Sequence, residues 1–168
     1  MIDPAYVQNM ARYNAWQNNQ LKEALEPLSP AELTKDRGAF FGSIFATLNH
    51  ILWGDRMWMA RFDKNVAAPE KDILHTELTP TFGAWTAERF ATDGKLVTWA
   101  QRTKAVDLLG PLTWYSGMTK TEQTKPLSLC ITHLFNHQTH HRGQVHTMMT
   151  AAGLQAPVSD LVFMPDAF

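Results

Sequence analysis

The stretch FNHQTHHRGQVHTMM, residues 135–149, places four of the chain's seven histidines inside ten residues, and His133 stands just before them. Imidazoles this dense act as metal ligands, as a titrating surface, or as polar residues on one face of a helix. On a helix that advances about 100° per residue, with His133 at zero, Leu127, Ile131, Leu134, Val145, Met149 and Ala152 gather at roughly 100–160° and define a buried stripe. His141 then lies at about 80° and His137 at about 40°, on the shoulder of that stripe. His140 sits farther out at about −20°, and His146 points away at about 220°. Residues four apart are stacked neighbours on a helix, so His137 and His141 present two imidazoles to one point just inside the core.

An H-x-x-x-H pair taken alone is more often a pair of hydrogen-bonded histidines than a metal site. Two features shift the balance. The pair lies toward the core, where imidazole nitrogens need partners, and a third histidine, His50, sits midway along the most apolar segment of the chain. Gly54, one turn after His50, is expected to leave space beside that ring. Three converging imidazoles bind a borderline divalent metal and leave at least one position open, the pattern of a catalytic rather than a structural zinc site. Zinc, nickel, copper and iron all suit such ligands. The residues between His137 and His141 are Gln138, Thr139 and His140. The glutamate of H-E-x-x-H is therefore missing, as are the E-x-x-H pairs of di-iron bundles, and both classes are set aside.

These side chains need helices to hold them. Helical periodicity marks residues 4–25, 43–62, 80–109 and 127–152. Asp3 and Pro4 suit the cap and first position of the first segment, and Pro27 and Pro30 forbid its continuation. The second is apolar over most of its circumference, as a buried bundle helix is. Gly94 weakens the third, and Gly153 stops the fourth. Residues 63–79, with Pro69, form a long crossover, and residues 110–127 suggest a short β-hairpin around Ser116 and Gly117. The expected fold is an all-α four-helix bundle in one domain spanning residues 1–168.

Composition narrows the function classes. The chain has 168 residues, 45% hydrophobic and 18% charged, with net charge −1. That balance gives no basic stripe for nucleic acid, and no apolar run approaches the ~20 residues of a membrane span. The single cysteine, Cys130, fits a reducing compartment. No secretory signal is read at the start, and a cytoplasmic location is expected. Nothing in LSLCITHL activates Cys130, so any thiol nucleophile would come from outside.

Other residues have two readings. Asp55, Asp160 and His133 are candidates to hydrogen-bond the ligand imidazoles from behind, although either aspartate could equally pair with an arginine. Trp53, Met57, Trp58 and Met148 could wall a pocket or simply fill the core. Arg142, past the core stripe, is expected to bridge to a neighbouring helix, and Gly143 suggests a close helix approach. His75, in the crossover, and His146 have no assigned role.

YNAWQN at residues 13–18 with Leu21, LNHILWGDRMW around His50, HLFNHQTHHRGQV around His137 and His141, and the tail with Gly153 and Asp160-Leu161-Val162 together resemble the DinB family. That family belongs to a wider DinB/YfiT-like group of metalloenzymes, and the resemblance runs over nearly the whole chain. It implies a four-helix bundle with a nickel- or zinc-type site on His50, His137 and His141, commonly in a homodimer. Relatives in the wider group include transferases and isomerases that use small cytoplasmic thiols. The expected function is a metal-dependent enzyme acting on a small-molecule substrate, transferring a low-molecular-weight thiol to an electrophile. The alternatives are a hydrolase using activated water and a non-enzymatic, stress-associated metal-binding module.

Overall fold

The computed structural model describes residues 2–168. Its elements are α1 (Pro4–Leu25), α2 (Pro30–Thr34), α3 (Ile44–Phe62), α4 (Phe82–Arg102), β1 (Pro111–Ser116), β2 (Thr121–Pro126) and α5 (Leu127–Ala151), with 3-10 turns at Ala105–Leu108 and Leu161–Phe163. Short polar side chains start three of the long helices by taking an otherwise orphaned backbone N–H. The Asp3 carboxylate accepts from Tyr6 N, Ser43 Oγ from Ala46 N and Thr81 Oγ1 from Ala84 N.

The third long helix ends seven residues earlier than its periodicity suggests, at Arg102 rather than at residue 109. Thr103 leaves the helical conformation with ψ 126°, and its hydroxyl donates to Trp99 O. Asp107 then accepts from Lys104 N at 2.9 Å and tightens the next residues into a 3-10 turn. Helix α2 has only five residues, too short to show a period, and it forms because Ser29 caps it and Leu33 is buried beneath it. The hairpin forms as expected, antiparallel from Pro111↔Pro126 to Ser116↔Thr121.

Helix α1 packs on α4, and α3 packs on α5. Two apolar clusters fill the interior. One gathers Leu21, Leu25, Leu48, Leu52, Trp85 and Met149. The other gathers Val7, Ala11, Met59, Leu96, Ile131 and Phe135. On each of the four long helices a buried polar residue lies between the two clusters: Asn14 and Asn18, Asp55, Arg89 and Asp93, Gln138 and Arg142. The bundle core is thus apolar at both ends with a polar layer between.

Candidate metal centre

The histidines of interest lie on the α3–α5 side of that polar layer. His50, His137 and His141 each offer one ring nitrogen, and these three atoms lie within 4.8 Å of one another. The ring centroids are 4.4 Å apart for His137 and His141, 4.6 Å for His50 and His141, and 5.0 Å for His50 and His137. Nε2 of His50 and Nε2 of His137 are 3.0 Å apart. Two ring nitrogens this close share either one proton or one cation.

Two neighbours set which nitrogen each ring offers. Nδ1 of His141 is 2.8 Å from Gln144 Oε1, which can only accept, so Nδ1 carries the proton and Nε2 is left with its lone pair. Nδ1 of His50 is 2.9 Å from Nδ1 of His75. When His50 donates there, its Nε2 is likewise free to bind. This is the arrangement in which ligand imidazoles are oriented from behind by hydrogen bonds. Nδ1 of His137 is buried and has no partner.

Gly54 makes the cluster sterically possible, at a different ring from the one expected. A Cβ built on Gly54 would lie 2.9 Å from Cε1 of His137 and 3.3 Å from its Nδ1. The missing side chain is therefore a cradle on α3 for the His137 ring of α5, rather than clearance beside His50.

Burial holds the rings neutral. It pushes the His50 imidazole down to about 3, helped by repulsion from His137, His141 and His75. Burial also pushes His137 down to about 3, with repulsion from His141, His133 and His140. His141 is lowered by burial as well, against the opposing pull of Gln144. Neutral imidazole is the form that binds a metal, so the donor set is ready without loss of a proton.

Residues 37–43 place an aromatic cap on this cluster. Gly38 and Gly42 adopt φ of 69° and 76°, and Arg37 N donates to Gly42 O at 2.8 Å, closing a tight turn. The turn sets the Phe41 ring 4.3 Å from His50, 5.3 Å from His141 and 5.4 Å from His75. The crossover carrying His75 is tacked to α3 beside His50, where Asn49 Oδ1 accepts from both Thr79 N and Thr79 Oγ1 at 2.8 Å.

The DinB family profile matches residues 1–167. The chain belongs to the DinB family. No curated protein matches it. Among solved structures, a DinB-like protein from Bacillus cereus ATCC 10987 superposes with a TM-score of 0.64 at 18% identity, covering 87% of this chain and 90% of that one. At that identity the likeness establishes the shared fold.

Several remaining candidates take different roles in this DinB chain. Asp55 does not reach an imidazole: its carboxylate accepts from Arg89 Nη1 at 2.6 Å and from Gln138 Nε2 at 2.8 Å. Five residues of helix turn it about 140° from His50, toward α4. The Asp160 carboxylate hydrogen-bonds to nothing among the described residues, and the residue opens the last 3-10 turn, where its carbonyl accepts from Phe163 N. His133 meets His137 ring to ring at 5.8 Å, without a hydrogen bond, and lies on Trp58. Trp53 does wall the cluster, stacked 6.3 Å from His50 and tilted 5.7 Å from His75. Trp58 instead packs on Trp114 of the hairpin, and Met57 is half-buried. Met148 belongs to the apolar core beside Leu21 and Leu25 rather than to a pocket.

Arg142 bridges to α1 as expected, donating to Asn14 Oδ1. A Cβ on Gly143 would meet nothing within 4 Å, so no close helix approach explains that glycine. Cys130 is buried, and burial raises its thiol despite the nearby charges of Arg61 and Lys125. It does have cationic neighbours, contrary to its local sequence, but burial outweighs them. No helix among the described residues is long and apolar enough to cross a membrane.

The sequence missed His75, Gln144 and Phe41. Gln144 was discoverable, because it lies three residues after His141 on one helix face. His75 and Phe41 lie in irregular segments with no period to read.

Proposed function

We propose that this protein is a metal-dependent DinB-type enzyme in which His50, His137 and His141 hold one divalent ion, nickel or zinc first and iron or copper second. In this reading the ion would offer an open position to a low-molecular-weight thiol, which would be transferred to a small electrophilic substrate. The observation that carries the reading is the convergence of three neutral imidazoles, with the His137 ring seated in the cradle of Gly54. A divalent ion bound there would lower the pKa of a coordinated thiol or water and make it a nucleophile at neutral pH.

The chain's own residues then have distinct tasks. With His75 as acceptor for the Nδ1 proton of His50 and Gln144 as acceptor for that of His141, both Nε2 lone pairs would be turned inward. Trp53 and Phe41 form aromatic walls beside the cluster. In the transfer, the sulfur forms a bond to the electrophilic carbon, the leaving group departs with its electron pair, and the thiol proton passes to solvent. Cys130 takes no part. A homodimeric assembly and a cytoplasmic location belong to the same proposal.

The test is metal analysis of protein purified without a histidine tag, followed by a transfer screen with several small thiols. About one divalent ion per chain is expected. Alanine at His50, His137 or His141 should remove it, and His146→Ala should not. Full metal content in His137→Ala and His141→Ala would sink the assignment. The Phe41 ring across the cluster favours a second reading, a non-enzymatic metal-binding module whose open position holds only water. If the metal-loaded protein turns over neither thiol acceptors nor hydrolysable esters, and Phe41→Ala does not unmask activity, that second reading prevails.

A further inference from the structure

Helix α5 also lines a cavity on its other side. The space is about 280 Å3 and lies between α1, α5 and the C-terminal tail, bounded by Tyr13, Gln17, Leu21, Arg142, His146 and Pro157 among others. The tail wall is fixed in place: Tyr13 Oη donates to Ser159 O at 2.5 Å, and Gln17 Nε2 donates to Val158 O at 2.9 Å.

Arg142 is the unusual member of this lining. It is 5% exposed, and its Nη2 is buried with no hydrogen-bond partner. Nη1 donates to the neutral amide of Asn14, and the guanidinium carbon lies 5.4 Å from the Tyr13 ring centroid. Among the described residues it forms no salt bridge. The two nearby carboxylates are already engaged. Asp55 binds Arg89 and Gln138, while Asp93 holds Arg89 at 2.8 Å and accepts from Asn14 and Asn18. A buried guanidinium is rarely left without a carboxylate, because desolvating the charge is costly unless it is paired.

No acidic side chain lines the cavity. Its remaining polar groups are uncharged or, in His146, able to donate. Its apolar surface comes from Leu21, Pro157 and the ring of Tyr13. We propose that this cavity is a second ligand site, separate from the histidine cluster, for a small organic acid. The carboxylate pairs with Arg142, and the apolar body lies against Leu21, Pro157 and Tyr13. A planar carboxylate suits the planar guanidinium edge that Asn14 leaves free.

The probe pair is benzoate and its uncharged analogue benzamide, with inorganic phosphate as a third arm, read as the shift in thermal unfolding midpoint of the purified protein at constant pH and ionic strength. Arg142→Met disturbs the buried network and can fail to fold, so Gly143 carries the discriminating variants. Gly143 borders the cavity, and a Cβ there would meet nothing within 4 Å. Gly143→Glu places a competing carboxylate at the cavity, and Gly143→Gln is its neutral match. Benzoate should raise the midpoint of wild type, Gly143→Gln and His50→Ala, and leave Gly143→Glu unmoved. Benzamide and phosphate should shift none of them. No shift with benzoate in wild type, an equal shift with benzamide or phosphate, an unchanged response in Gly143→Glu, or loss of the response in His50→Ala would each overturn the proposal.

Discussion

Helix α5 carries two polar pairs in the same two turns, and they solve the problem of burial in opposite ways. His137 and His141 face α3 and His50, while Gln138 and Arg142, the next residue in each case, face Asp55 of α3 and Asn14 of α1. The second group is built from fixed charges and brings most of its counter-charges with it: Asp55 and Asp93 flank Arg89. Burial raises the Asp93 carboxyl although Arg89 opposes this, and Arg89 is held protonated by Asp93 and Asp55 against the effect of its own burial. The histidine group has no carboxylate among its partners. Its rings stay neutral because burial and mutual repulsion make protonation unfavourable. One layer pairs Arg89 with its own carboxylates and leaves only Arg142 without one; the other presents lone pairs that a cation from outside would satisfy.

The sharpest way to break this contrast is to remove one partner from the charged layer. Asp55→Ala leaves the buried Arg89 guanidinium with Asp93 alone and Gln138 without its acceptor, and should cost about 3 kcal/mol of folding stability, measured by urea unfolding. His50→Ala leaves no buried charge behind and should cost clearly less in metal-free protein. Equal losses would mean that the histidine layer is as structural as the ion pairs.

Acid should separate the two faces next. The unfolded chain protonates its histidines near 6.5, whereas His50 and His137 in the fold do so only at about 3. Between those values the unfolded state binds more protons, so stability rises with pH across the window. Metal-free protein should therefore keep the full contribution above pH 6.5 and lose it progressively as the pH falls toward 3. The His50→Ala/His137→Ala double variant should show a shallower slope in denaturant midpoint against pH, and an unchanged slope would contradict the assignment of neutral buried rings.

Smaller effects probe the residues behind the ligands. His75→Ala removes the acceptor for His50 and should weaken metal affinity by about 10–100-fold in a chelator competition, with His75→Gln recovering part of the loss through its amide oxygen. Wild-type affinity in His75→Ala would show that the crossover merely covers the site. Gly54→Ala should have the least effect on the fold. Alanine favours the helix by roughly 1 kcal/mol, yet its Cβ would press on the His137 ring. Thermal stability should hold while metal affinity falls; unchanged affinity would mean that the ring shifts freely.

The three clustered histidines were legible because each sits on a regular helix, where position around the axis follows from residue number alone. His137 and His141 share a face by their spacing, and His50 stands out as a polar residue in an apolar helix. The same arithmetic placed Arg142 toward a neighbouring helix. It failed where a residue's partner lies on another element. For Asp55 it leaves an imidazole and an arginine as equal partners, and the fold gives it Arg89 together with Gln138. By spacing, Gly54 clears its own helix's histidine, whereas the ring it admits comes from α5. The period does not mark the early end of α4, because apolar residues continue past Arg102 and the helix gives way at the Thr103 and Asp107 hydrogen bonds.

The sequence by itself determined the four long helices, the hairpin, the inward histidine pair and the family, since all of these depend on local period, capping and motif. Tertiary structure alone decided that His75 stands 2.9 Å from His50, that Phe41 covers the cluster and that Arg142 lacks a carboxylate beside a cavity. The physical reason is that irregular segments have no fixed angle per residue, and that a buried charge is paired or unpaired only by what the other helices bring to it.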